Sequence, residues 1–291
     1  YISTTTTLDG TFDWKANEAE NMQRNLSNLY NLLSEVTRKR KKGKMGPAGK
    51  AFTSKFENSL KEVGEALDEM RLRDYGNIVI HAIPSWIKKL KRRANEDEVR
   101  VVCDLIAEKY VKMLNPIIPH LSEEMWNKLG NKGLVSMENW PEYDKKLINE
   151  KLLAYEELAD RTTEDIRNVL KLVKFKPKRI RLFVSPKWKY AFFKKLKKEI
   201  EKTRDVKKIM KKVMDKKHGM EISKIVPAVM KDPSKLPSLV MDQDNEFSSL
   251  SEAKNFLEKE FNCEIEIQKA EDSKSDKAMK AIPGKPGIEV Q

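Results

Sequence analysis

Residues 116–129 read Pro116-Ile117-Ile118-Pro119-His120-Leu121-Ser122-Glu123-Glu124-Met125-Trp126-Asn127-Lys128-Leu129, and this stretch decides the fold. The two prolines end a preceding helix, because a proline inside a helix removes a hydrogen bond and clashes with the previous turn. A short helix can then start at Ser122, or in the turn before it, and end near Gly130. Leu121, Met125 and Leu129 give it one apolar face. The stretch therefore predicts the turn that joins two helices of a bundle.

Four longer amphipathic helices are predicted before this turn, because apolar residues recur there at steps of three or four. They cover residues 13–36, 52–70, 72–93 and 96–115. Asp13 is the predicted cap of the first helix, and Pro84 the predicted kink of the third. None of these helices can bury its apolar stripe alone, so short connections between them favour an antiparallel bundle.

The chain changes character after a loop at residues 140–144. A long polar helix follows, and residues 179–184 and 264–267 alternate as strands do. Further helices are predicted over residues 187–202, after a cap at Asp205, and over residues 221–230 and 250–261. The expected fold class is mainly α, an antiparallel helical bundle followed by a small basic α+β module. We expect an extended lead-in over residues 1–12, the bundle over 13–145, a connecting helix over 146–175 and the basic module over 176–291.

Positive charge is concentrated in the second half of the chain. The net charge is +13, and residues 171–217 contribute 20 Lys and Arg against four Asp and Glu. Such a block predicts a polyanionic partner, and a nucleic acid is the favoured one. An acidic protein, a membrane surface or a solvated lysine-rich surface stays open. Solvated surfaces of that kind usually carry matching glutamates, however, and this stretch has few.

Residue patterns for catalysis or metal binding are missing from the sequence. His81, His120 and His218 have no metal-ligand spacing, and two cysteines cannot complete a zinc site. Glu123 and Glu124 are adjacent, so on a helix they point about 100° apart and cannot easily share a proton. We expect no catalytic residue, no metal and no cofactor here. Neither an apolar run of membrane-spanning length nor a secretory leader is present, so a cytoplasmic protein without membrane contact is expected.

Residues 116–129, with Trp140-Pro141 after them, resemble a known signature, P-x-x-P-H-x-x-E-E-x-W. It belongs to the anticodon-binding helical bundle of the class I synthetases for leucine, isoleucine and valine. Phe12-Asp13-Trp14 resembles the start of that bundle, and the resemblance covers about residues 10–145. Isoleucine enzymes often end in a zinc module and valine enzymes in a coiled coil. The basic tail that closes on Pro283-Gly284-Lys285-Pro286-Gly287-Ile288 instead resembles archaeal-type leucyl-tRNA synthetases.

The resemblance implies a tRNA-binding C-terminal region of a leucine–tRNA ligase. The parent enzyme would use ATP and Mg²⁺. Its catalytic signatures would precede this chain, whose first residue is Tyr1 and not a methionine. The partner would be a leucine-specific tRNA, recognised by its shape and long variable arm, with the protein a monomer. Alternatives are an isoleucyl- or valyl-type region, a non-catalytic RNA-binding module, or a protein-interaction scaffold.

Candidate tRNA-binding residues follow from the basic helix ends, the basic strand and the tail. They are Arg38, Arg40, Lys41, Lys42, Lys88, Lys91, Arg92, Lys178, Arg179, Arg181, Lys285, Ile288, Glu289, Val290 and Gln291. The final residues have two possible roles, an edge strand on the module's own sheet or a contact with the tip of the variable arm. Trp126 and Trp140 are expected to pack in the bundle and not to stack on bases.

Overall fold

The computed structural model describes residues 1–7, 9–38, 43–173 and 175–291. The chain forms two compact units, Tyr1–Asn149 and Glu150–Gln291. Each unit has its own apolar core. The predicted fold class, a helical bundle followed by a small α+β module, is confirmed.

In its described residues, the first unit is built from helices joined by turns and loops. The helices are α1 (Ile2–Thr5), α2 (Ala16–Val36), α3 (Pro47–Asp68), α4 (Leu72–Gly76), α5 (Ile83–Arg93), α6 (Glu96–Leu114) and α7 (Pro119–Lys128). Their apolar stripes meet in one core around Phe56, Tyr75 and Tyr110, all fully buried. Burial of these stripes stabilises the bundle, as the periodicity of the sequence predicts.

A π-helical stretch, Asn77–Ala82, lies between α4 and α5 at the predicted kink. Pro84 has no N–H to donate, and its ring would clash with the carbonyl four residues earlier, so a wider turn accommodates it. In a π-helical turn the Val79 carbonyl would accept the N–H of the residue five positions later. That residue is Pro84, which has no N–H to donate. The buried hydroxyl of Tyr110 donates to that carbonyl at 2.8 Å. Tyr110 therefore ties α6 to the irregular turn.

Two expectations for the N-terminal residues are wrong, whereas α7 starts in the turn predicted for it. The lead-in over residues 1–12 is not extended throughout, because Ile2–Thr5 form a helix whose buried Thr4 contacts α4. Docking on α4 outweighs the strand preference of threonine. Asp13 does not cap α2, which begins at Ala16 after Lys15. Helix α7 begins at Pro119, since proline suits the first turn of a helix.

Two buried carboxylates hold the bundle together. Oε1 of Glu98 accepts the N–H of Gly49 at 2.6 Å, in the first turn of α3. A side chain at Gly46 or Gly49 would come within 3 Å of that carboxylate, which explains the small residues there. Glu57 is fully buried, pairs with Lys109 at 2.7 Å and accepts the N–H of Asp144 at 2.7 Å.

The turn over residues 116–129 has the predicted role. Trp126 is 4% exposed and packs in the core, whereas Trp140 is 37% exposed, so its prediction as a packing anchor is only partly right. Glu123 accepts the N–H groups of Val135 and Ser136 at 2.8 and 3.2 Å. Glu124 instead pairs with Lys128. The two adjacent carboxylates therefore have different partners and form no catalytic pair.

The second unit holds a three-stranded sheet in the order β2-β1-β3. Strand β1 (Arg179–Val184) is central, parallel to β2 (Glu264–Lys269) and antiparallel to β3 (Gly287–Val290). Its helices are α8 (Glu150–Leu172), α9 (Lys187–Lys202), α10 (Val206–Val213), α11 (Gly219–Lys231), α12 (Gln243–Phe261) and α13 (Asp276–Lys280).

Helices α8 and α12 pack against each other beside this sheet. The long helix predicted over residues 146–175 spans Glu150–Leu172, and it contributes Ala159 and Ile166 to a core shared with β1. Helix α12 is longer than predicted, because Asp242 accepts the N–H of Asn245 at 2.8 Å and starts the helix earlier.

Candidate nucleic-acid interface

The arginines of β1 face glutamates on neighbouring strands. Arg179 lies opposite Glu264 in the sheet, and Arg181 lies opposite Glu266. Their side chains donate to these carboxylates at 2.8 and 3.0 Å. The pairs stabilise the sheet and neutralise much of the arginine charge. Sequence reasoning missed this, since it requires the register of strands 85 residues apart in the chain.

The C-terminal residues form an edge strand, one of the two predicted roles. The N–H groups of Lys178 and Arg179 donate to the carbonyl of Gln291 at 2.8 and 3.0 Å. Glu289 lies 3.8 Å from Arg181 and accepts the hydroxyl of Ser275 at 2.6 Å. That hydrogen bond lowers the pKa of Glu289. Ile288 and Val290 pack against the core of the sheet.

Other candidates lie at exposed positions in their own units. Lys285 lies 3.5 Å from Asp165, whereas the side chain of Lys178 is exposed without a carboxylate partner among the described residues. In the first unit, Lys88, Lys91 and Arg92 are exposed at the C-terminal end of α5, and Lys91 pairs with Glu35. Arg38 is exposed after α2. Arg40, Lys41 and Lys42 lie outside the described residues.

A denser group of lysines lies on α9 and α10, which pack against each other. Lys194 and Lys198 are four residues apart on α9, as Lys207 and Lys211 are on α10, so each pair shares a helix face. All four are exposed, as is Lys195, and none has a carboxylate partner within the ranges that the structure describes. We call these five residues the lysine surface. The sequence singled out their stretch but not these residues.

Glu199 fixes the geometry of the lysine surface. Its carboxylate lies 2.9 Å from Lys202 on its own helix and 2.8 Å from Lys212 on α10. Hydrogen bonds from Lys212 and Lys202 lower the pKa of Glu199. Asp205 caps α10 as predicted, accepting the N–H groups of Lys207 and Lys208 at 2.9 and 3.2 Å. Uncompensated lysines held on fixed helices are suited to binding phosphates.

Comparison with known families adds the deciding observation. The profile described as "Anticodon-binding domain of tRNA ligase" matches residues 49–230, more than half of the chain. The chain belongs to this family. The resemblance seen in residues 116–129 is thereby confirmed. The match to the anticodon-binding family also continues past the bundle into the second unit.

The most similar relatives of this anticodon-binding chain include archaeal leucine–tRNA ligases. It is 31% identical over 293 residues to the enzyme of Staphylothermus marinus, which covers 99% of the chain. Identity is 34% over 296 residues with that of Methanococcus maripaludis strain C7, and 31% over 301 residues with that of Pyrococcus horikoshii, each covering 100% of the chain. The chain spans 30% of the length of each relative.

Metal-ligand clusters and membrane-spanning helices are both absent from the described residues. Over residues 1–7, 9–38, 43–173 and 175–291, no three His, Cys, Asp or Glu side chains are grouped so that they could hold a metal ion. No helix in those ranges is long and apolar enough to cross a bilayer. We assign no chemical step to the described residues.

Proposed function

We propose that this chain is the tRNA-binding region of a leucine–tRNA ligase. It would hold the tRNA body and the long variable arm while leucine is attached, with ATP and Mg²⁺, in another part of the enzyme. The match to the anticodon-binding family over residues 49–230 carries the proposal. The leucine–tRNA ligases that match 99–100% of the chain support leucine over isoleucine or valine.

The lysine surface is the main phosphate-binding element of this proposal. Lysines neutralise phosphates without reading base sequence, so they fix position and leave discrimination to RNA shape. Arg179 and Arg181 contribute less, since both already pair with glutamates. Lys178 in the second unit and the exposed cations of α5 in the first unit are further phosphate contacts of the proposal.

The tail from Lys285 to Gln291 has a second role in the proposal, at the tip of the variable arm. Strand β3 pairs with β1 on one side, and among the described residues no second strand lies along its outer edge. The backbone groups of a sheet edge are open to new partners. Such groups can hydrogen-bond to base edges or to 2′-hydroxyls. An edge strand and an RNA contact are therefore compatible roles for Ile288, Glu289 and Val290.

Equilibrium binding to two transcripts tests the proposal. One is a leucine tRNA with its long variable arm, and the other is the same tRNA with that arm shortened. We expect tighter binding of the long-arm tRNA at physiological salt, with affinity falling as salt rises. Equal and salt-insensitive binding of both, or binding to acidic proteins and not to RNA, would instead indicate an interaction scaffold.

A further inference from the structure

The second unit has an open groove away from the lysine surface and the sheet edge. It lies between α11 on one side and α13 with the turn that follows it on the other, and its volume is about 490 Å³. This volume is within the range of small-ligand sites. Ile225 and Ala228 line one wall, and Met279 and Ile282 line the other. Met279 is 50% exposed, so an apolar surface is open to solvent.

Positive charge surrounds this apolar groove. Lys224 and Lys280 line it, and both are exposed without a carboxylate partner in the described part of the chain. Lys235 also lines it, 3.7 Å from Asp232. Among the described lining residues, the carboxylates are Glu221 and Asp276. An occupant should therefore combine an apolar body with flanking negative charges.

One carboxylate is held in place inside the groove. The side chain of Lys189 is 2% exposed, and its ammonium donates to the carbonyls of Met279 and Ala281 at 2.6 and 3.0 Å. The same ammonium lies 3.2 Å from Oε2 of Glu221, whose side chain is 37% exposed. Glu221 can accept further N–H groups from a ligand, since a carboxylate has about four acceptor positions.

We propose that this groove binds one unstacked RNA base. The base would lie between the aliphatic walls, its flanking phosphates would meet Lys224 and Lys280, and Glu221 would accept an N–H from its edge. A base that carries an exocyclic amino group fits this carboxylate better than uracil. The inference rests on the proposed RNA-binding function and deepens it, since the lysine surface reads no bases.

Methyl NMR on the wild-type chain tests the groove directly. The probes are the tetranucleotides UUGU, UUAU and UUUU, and UUGU with an abasic site in place of guanine. We expect the methyl signals of Ile225, Met279 and Ile282 to shift with UUGU and UUAU, less with UUUU, and least with the abasic probe. Equal shifts with all four, or larger shifts with tetraglutamate, would overturn the proposal, the latter in favour of an acidic peptide.

Filling the groove gives an independent test on tRNA. Ala228→Trp should lower tRNA affinity about tenfold by displacing one base from the groove. Ser223→Trp, on the exposed side of the same helix, is the matched control and should have no effect. Glu221→Gln should reduce the preference for UUGU over UUUU, because an amide offers a mixed donor and acceptor pair.

The outcomes separate this proposal from the proposed function. If Ala228→Trp remains folded and binds tRNA like the wild type while loss of the lysine surface weakens binding, the groove proposal is wrong and tRNA binding stands. If the wild-type chain fails to bind tRNA at all, the proposed function is wrong. Methyl shifts with the tetranucleotides would still report on the groove in that case.

Discussion

Removing four lysines from the lysine surface should change how salt affects tRNA binding. The perturbation is simultaneous replacement of Lys194, Lys198, Lys207 and Lys211 by alanine. Each phosphate contact contributes roughly 0.7–0.9 to the slope of log affinity against log salt, so four contacts should flatten that slope by about 3. Stability should change little, because alanine favours helix and the ion pairs of α9 and α10 among the described residues use other lysines.

Fluorescence anisotropy with labelled leucine tRNA over a series of salt concentrations measures this slope. Arg179→Gln with Arg181→Gln is the control, because these arginines already pair with Glu264 and Glu266. We expect the control to alter the slope less than the lysine variant, although it removes two charges. An unchanged slope in the lysine variant, or a larger change in the arginine control, would refute the assignment.

Three further predictions concern stability. Trp126→Ala should destabilise the first unit by roughly 3–5 kcal/mol, since this ring is 4% exposed, and a small change in denaturant midpoint would contradict its role in the core. Lys109→Met should cost roughly 3–5 kcal/mol in urea unfolding, because it leaves buried Glu57 unpaired, and adding Glu57→Gln should recover part of that loss. Burial raises the pKa of Glu246 from 4.5 to about 7, against the hydrogen bond from Gly284. The folded chain therefore binds this proton more tightly than the unfolded chain, and its stability should decline as pH rises from about 4.5 to about 7. Melting temperatures should show that Glu246→Gln lacks this decline, and identical pH profiles would contradict it.

The helices of the bundle could be predicted because their signal is local. Steps of three or four between apolar residues specify one buried face, and this gave the long helices and the closing turn. Their starts were less predictable. The helix at Ile2–Thr5 packs against α4 at Gly76. Thr4 can approach α4 closely there because glycine has no side chain. A threonine-rich segment gives no local indication of such a contact.

The candidate site was predicted in part. The excess of lysine over residues 171–217 indicated a polyanion partner, and α9 and α10 bear that charge on their exposed faces. Whether a lysine or arginine is paired with a carboxylate depends on contacts between residues that are far apart in the sequence. Arg179 and Arg181 meet glutamates because β1 and β2 pair in one register. The groove walls come from α11 and from α13 with the turn after it, and no sequence periodicity relates these segments.

Hydroxyl-radical footprinting of a leucine tRNA by this chain is the most direct test of tRNA binding through the lysine surface. We expect protection of the backbone in the tRNA body and the long variable arm. We also expect that alanine at Lys194, Lys198, Lys207 and Lys211 removes part of that protection while the fold persists. An identical footprint with the alanine variant would contradict the assignment of the lysine surface. A wild-type footprint confined to the anticodon loop, with the variable arm cleaved as in free tRNA, would contradict the account as a whole.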